Sequence, residues 1–111
     1  MKNTITKYPP LPVTVGKKGK AITPVTNHIR RYEIIDEIKT LQYNSKTKAI
    51  YLQLIKFDDN SLEVRFGYYI IGKKPKMKDK WTWGQFATML PMRDFKKIYK
   101  LAEKKNWFNK Y

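Results

Sequence analysis

The clearest pattern along the chain begins at Leu62, where Leu62, Val64, Phe66, Tyr68 and Ile70 alternate with Glu63, Arg65, Gly67, Tyr69 and Ile71. A period of two puts successive side chains on opposite faces of a strand. A slip of one residue would carry Glu63 and Arg65 into the core, so the pattern predicts the Leu62 set inward and a firmly set register. Upstream, Ala49 to Phe57 reads as a buried strand, with Ile50, Leu52 and Leu54 on one face and Tyr51, Ile55 and Phe57 on the other. Between the two runs lies Asp58-Asp59-Asn60-Ser61, whose side chains favour a hairpin turn by bonding to their own backbone.

Residues 29–43 are ambiguous. Ile29, Tyr32, Ile35 and Ile38 fall near a helical period, but the segment also reads as a bent strand. Its density of β-branched residues favours strand from about Tyr32, ending at the turn Asn44-Ser45-Lys46-Thr47-Lys48. A further strand is predicted over Trp81 to Phe86. Pro91 then suits the first turn of a helix, and Asp94 lies near the positive end of its dipole. Phe95, Ile98, Tyr99 and Ala102 recur at the spacing of a stripe that packs on a sheet, while Lys96, Lys97, Lys100, Lys104 and Lys105 fall largely off it. Asn106 is a reasonable stop, with Trp107 and Phe108 folding back.

The first 28 residues read differently. Pro9, Pro10, Pro12 and Pro24 oppose helix and central strand, and Gly16 and Gly19 loosen the chain around Lys17, Lys18 and Lys20. Leu11 to Val15 could still dock as an edge strand. The expectation is a basic flexible arm over 1–28 and a single α+β domain over 29–111. Its fold class is an antiparallel three- to four-stranded meander with a C-terminal helix packed on one face. At 111 residues, one core is expected.

Charge sharpens this picture. Residues 1–30 carry +6 and no carboxylate, residues 31–66 balance to zero, and residues 67–111 carry +9, for a net +15. A neutral apolar middle flanked by basic ends points to a polyanion, most simply nucleic acid, DNA or RNA. The segment Gly72 to Lys80 holds five lysines and runs into Trp81-Thr82-Trp83. Lysines for phosphates beside aromatic platforms for bases suit a single strand. The candidate contacts are Lys17, Lys18, Lys20, Lys73, Lys74, Lys76, Lys78, Lys80, Trp81, Trp83, Lys96, Lys97 and Lys100. Tyr68, Tyr69 and Phe86 would extend the platform, whereas either tryptophan could equally be a core residue under a helix. Lysines outnumber the four arginines, which favours backbone contact over reading of guanine edges. If about six lysines meet phosphates, log K should fall with log salt at a slope of about −4 to −5.

Absences narrow the chemistry. There is no cysteine, so disulfide scaffolds and thiol nucleophiles are excluded. One histidine, His28, and two serines, Ser45 and Ser61, are poor material for nucleophilic catalysis or a transition-metal site. Gly16-Lys17-Lys18-Gly19-Lys20-Ala21 lacks the spacer and hydroxyl of a phosphate-binding loop. Asp58, Asp59 and Glu63-x-Arg65 superficially resemble a PD-(D/E)xK metal-dependent nuclease. Arg65 stands where a lysine should be and cannot act as a base, and the acids crowd one turn. Glu33, Asp36 and Glu37 form an acidic cluster that is either a solvated face or a dock for the basic arm. No apolar run is long enough to cross a membrane, and the early prolines interrupt any secretory segment, so a soluble, intracellular protein is expected, in the cytoplasm or on the nucleoid.

The order of elements, a meander and then a helix, together with its basicity, is similar to the Whirly and positive-cofactor-four single-strand DNA-binding folds over about residues 30–108. No diagnostic motif accompanies the similarity. It implies a possible homodimer with the helix at the subunit contact. The expected function is non-enzymatic, largely sequence-independent nucleic-acid binding, without metal or small-molecule cofactor and without membrane association, single-stranded DNA slightly favoured. The alternatives are a module that docks an acidic protein and a small Mg²⁺-dependent nuclease.

Overall fold

A computed structural model describes residues 8–72, 79–84 and 88–111. Five antiparallel strands follow one another in chain order: β1 (Lys18–Ile22), β2 (Ile29–Leu41), β3 (Lys48–Phe57), β4 (Leu62–Ile70) and β5 (Thr82–Trp83). Helices α1 (Met92–Lys104) and α2 (Trp107–Lys110) complete the α+β fold.

β3 is buried on both faces, as its nearly continuous apolar sequence requires. On one face Ile50, Leu52 and Leu54 pack with Ile38 of β2, with Ile98 and Ala102 of α1, and with Trp107. On the other, Ala49 and Tyr51 pack with Tyr69, Leu11, Trp81 and Trp83, while Ile55 and Phe57 pack with Ile34, Tyr32 and Ala21. We call these the helix face and the aromatic face.

Residues 29–41 are strand, with the register shifted between Ile34 and Asp36. That bulge inserts one residue and reverses the phase. Ile34 therefore faces the aromatic core and Ile38 the helix core, although both occupy even positions. The bulge also delivers Asp36 to the helix face, where Trp107 Nε1 donates to its carboxylate at 2.9 Å and Lys105 Nζ at 2.7 Å.

The described part of the expected arm is built into the fold. Lys18–Ile22 forms the edge strand, so the sheet has five strands and the strand lies later than Leu11–Val15. Residues 8–16 cross the aromatic face. Prolines suit this covering role because they bring no N–H that needs a partner. Their carbonyls are satisfied from the sheet: Pro12 O accepts from Tyr51 Oη at 2.6 Å and Lys39 Nζ at 3.2 Å, and Pro9 O accepts from Trp81 Nε1 at 2.9 Å. Thr14, fully buried, donates from N and Oγ1 to Glu37 Oε1 and accepts from Gln53 Nε2 at 3.1 Å. Of the acidic cluster, Glu37 holds this segment, through Thr14 rather than a basic residue, while Asp36 holds Lys105 and Trp107 and Glu33 is exposed.

Two details of facing differ from the sequence pattern. On β4, Val64 is 58% exposed while Tyr69 is buried and Arg65 half-buried, the reverse of the expected polarity. α1 lies along β2, fixed by Asp94 under Tyr43 N, Lys97 against Thr40 and Lys105 on Asp36, and leaves the helix-side residues of β4 partly open. On α1 the buried residues are Asp94, Ile98 and Ala102, whereas Phe95 and Tyr99 remain exposed. The predicted fourth strand is observed over Thr82–Trp83, and residues 85–87 lie outside the described residues.

Burial works against ionisation of Glu37, but the hydrogen bonds from Lys39 and Thr14 outweigh it and hold the carboxyl below its ordinary 4.5. Asp36 follows the same logic: burial raises it, but Lys105, the Glu37 N–H and Trp107 bring it below 3.8. A carboxyl whose folded-state pKa is depressed stabilises the fold above its unfolded pKa and loses that contribution as pH falls through the folded value. Urea midpoints should therefore drop as pH falls below about 4.5, and Glu37→Gln should lower the midpoint at pH 7 and flatten its acid dependence. A midpoint independent of pH down to 3 would show that Asp36 and Glu37 carry no such linkage.

Candidate nucleic-acid interface

The helix face carries nine cations. Strand alternation from the β1–β2 and β3–β4 registers sends Lys18, Lys20, Arg31 and Lys56 to this side. α1 adds Arg93, Lys96, Lys97, Lys100 and Lys104, which line a shallow groove along its outer side. At 100° per residue these five span the arc of the helix opposite its buried stripe. All nine are exposed, and among the described residues none forms an ion pair. The exposed carboxylates beside them on the helix side are Glu33 and Glu103. The remaining described acids are engaged elsewhere or lie in turns: Asp36 with Lys105, Glu37 with Lys39, Asp59 and Glu63 with Arg30, and Asp94 buried under Tyr43 N.

Trp81 and Trp83 lie on the aromatic face, so they and the α1 lysines do not share a surface. Trp81 meets Tyr8 edge-on at 6.5 Å in addition to its bond to Pro9. Trp83 packs edge-on against Tyr51 and Tyr69, at 6.3 and 5.0 Å between ring centroids. Its ring covers Gly67, where a side-chain carbon would run into it. Tyr32 covers Gly19 in the same manner.

Between these two covered glycines lies a cleft of about 180 Å³ lined by Thr14, Lys17, Tyr32, Ile34, Gln53, Arg65, Tyr69 and Trp83, and bordered by Lys18, which as part of the edge strand adjoins both this cleft and the helix side. Arg65 lies between the rings of Tyr32 and Trp83. Its guanidinium carbon sits 5.4 Å from the Tyr32 ring centroid and 5.5 Å from that of Trp83, with Nε donating to Gln53 Oε1 at 2.9 Å and Nη1 to Tyr32 Oη at 3.2 Å. The donors of Arg65 are thus partly spent on the fold, and Gln53, fully buried, is satisfied on both ends. Burial raises the Tyr51 hydroxyl well above the ordinary tyrosine value and raises that of Tyr69 as well, so both stay protonated at neutral pH.

Of the residues predicted from sequence, Lys96, Lys97 and Lys100 come together on the outer side of α1, and strand parity puts Lys18 and Lys20 on the same side of the sheet. Lys17, Trp81 and Trp83 lie on the aromatic face, and Lys80 is exposed just before β5. Lys73, Lys74, Lys76 and Lys78, with Phe86, lie outside the described residues. The hairpin acids converge on a cation: Arg30 bonds Glu63 at 3.0 Å and Ser61 at 2.9 Å, stacked 3.6 Å above Phe57, and Ser61 donates to Asp59. Among the described residues no three histidine, cysteine or acidic groups gather as a metal site, and no helix is long and apolar enough to cross a membrane. Sequence reasoning missed Arg31, Lys56, Arg93 and Lys104 as members of one surface. For the sheet residues the signal was available in strand parity, once the register was known.

Comparison with family models, curated proteins and solved structures gives no match to this chain.

Replacing Gly67 by alanine tests the packing of Trp83. The added methyl displaces the ring, and we expect a loss of about 1–3 kcal/mol in urea unfolding with a shift in tryptophan emission. An unchanged midpoint would mean that the ring yields at no cost.

Proposed function

We propose that this protein binds nucleic acid without cleaving it and largely without reading sequence, and that the helix face is its phosphate-contacting surface. The observation that carries the reading is the set of nine exposed cations on that face, unpaired among the described residues. Lysines at successive turns of α1 present a row of point charges at intervals of about 5–6 Å along the axis, suited to a polyanion of regular charge spacing. Such contacts release condensed counterions, so affinity is salt-dependent and insensitive to base identity. The reading needs neither Trp81 nor Trp83.

The test is anisotropy of labelled oligonucleotides, single- and double-stranded, across a salt series. The triple variant Lys97→Gln/Lys100→Gln/Lys104→Gln should weaken binding to all sequences alike and flatten the log K against log salt slope by about 2 to 3 units. Binding that is absent, or indifferent to salt and to these substitutions, would reject the reading and turn the search to an acidic protein partner.

A further inference from the structure

The helix face also carries large apolar side chains that the fold leaves open. Phe66 of β4 and Phe95 of α1 have ring centroids 6.1 Å apart, and Tyr99 and Phe108 have centroids 5.1 Å apart. Phe95 and Tyr99 are one helical turn apart on the same flank of α1, and Val64 precedes Phe66 on the same side of β4. Together they floor a strip between α1 and β4. Their exposures are 36% for Phe66, 42% for Phe95, 49% for Tyr99, 55% for Phe108 and 58% for Val64. Contiguous apolar surface rimmed by polar residues is characteristic of interaction sites.

The strip does not stand alone. Around α1 the buried stripe comes first, then Phe95 and Tyr99, then Lys96 and Lys100. A row of rings therefore runs beside a row of ammonium groups with the same pitch of about 6 Å between i and i+4. We infer that a single strand of nucleic acid runs along this strip, its bases stacked on Phe95, Tyr99 and Phe108 and its phosphates on Lys96 and Lys100. The inference rests on the nucleic-acid reading above and adds strandedness and a base-contacting set. Rings beside cations match both halves of a nucleotide, and stacking accepts any base because every base has a π-face. A duplex keeps its base faces inside its own stack and offers nothing to these rings. A second copy of this chain is disfavoured as occupant, because a two-fold contact through the strip would bring the Lys96 and Lys100 rows of both copies together.

The experiment measures anisotropy of a labelled oligothymidylate, its RNA counterpart and a duplex with wild type, Phe95→Ala, Tyr99→Ala, Tyr99→Phe and Lys96→Gln/Lys100→Gln. Thermal unfolding checks that each variant is folded, and sedimentation gives the oligomeric state. Each alanine variant should lose single-strand affinity by about 5- to 100-fold, with an unchanged salt slope and unchanged duplex affinity. Tyr99→Phe should bind like wild type, because the ring is what stacks. Lys96→Gln/Lys100→Gln should flatten the slope. If the alanine variants bind single strands like wild type while the lysine variant is impaired, the inference is overturned and the nucleic-acid reading stands. If wild type binds no nucleic acid, both fall. If wild type sediments as a dimer that Phe66→Asp dissociates, the strip is a subunit contact and the inference is overturned.

Discussion

The fold depends on the two-sided burial of β3. A strand reading Ala-Ile-Tyr-Leu-Gln-Leu-Ile over residues 49–55 cannot leave either face to water, so the sheet needs a cover on each side. α1 and Trp107 supply one cover, with a conventional amphipathic stripe. The other comes from a chain segment with no secondary structure of its own between Tyr8 and Thr14, together with Trp81 and Trp83. An irregular cover brings backbone polar groups onto an apolar face, and each must be met. Here prolines remove donors, and Tyr51, Lys39 and Trp81 take up the carbonyls. Gln53 is the hub: it joins Thr14 of the cover to Arg65 of β4, and Thr14 in turn rests on Glu37.

The two covers differ in reach, and that difference shapes the surface. The aromatic cover extends to β4 and β5, because Trp83 lies over Gly67. α1 runs along β2 and leaves the helix side of β4 open, so Val64, Phe66, Phe95 and Tyr99 remain at the surface. Most carboxylates are drawn into structural roles, while on the outer side of α1 Lys96, Lys100 and Lys104 are left without one; Lys97 reaches Thr40 and Arg93 lies beside Tyr43. The result is a face with excess positive charge beside exposed rings. On the proposed reading, this imbalance is what recruits a polyanion.

Strand existence and hairpin turns were legible because their signals are local. Leu62–Ile70 alternates, Asn60 takes the left-handed conformation in its turn, and Asn106 does so at the end of α1. Residues 29–41 looked partly helical for a physical reason. The bulge after Ile34 reverses the phase, so core positions fall three and four apart, as they would on a helix. The polarity of β4 was misread because alternation states that a strand has two faces but not which face is covered. Arg65 faces inward since Tyr32, Trp83 and Gln53 satisfy it, and no local pattern encodes that. The tryptophans and the α1 lysines were both expected to contact nucleic acid, and their separation onto two faces follows from register: Trp83 pairs with Tyr69 on the Tyr51 side of the sheet, while α1 packs on Ile50, Leu52 and Leu54.

The use of the two kinds of cation completes the argument. Arg30 stacks on Phe57 and bonds Glu63 and Ser61, Arg65 lies between Tyr32 and Trp83, and Arg93 stands 5.1 Å from the Tyr43 ring. Planar guanidinium groups suit such stacked, forked contacts. Apart from Arg31, the cations of the helix face that make no such ring contact are lysines: Lys18, Lys20, Lys56, Lys96, Lys97, Lys100 and Lys104. A lysine is a point charge on a flexible stem, effective against a phosphate and poor at a two-point match to a base edge. Arginines that would read bases are largely spent on the fold, so on the proposed reading what meets the ligand is a surface that measures charge and, along the α1–β4 strip, offers rings to any base.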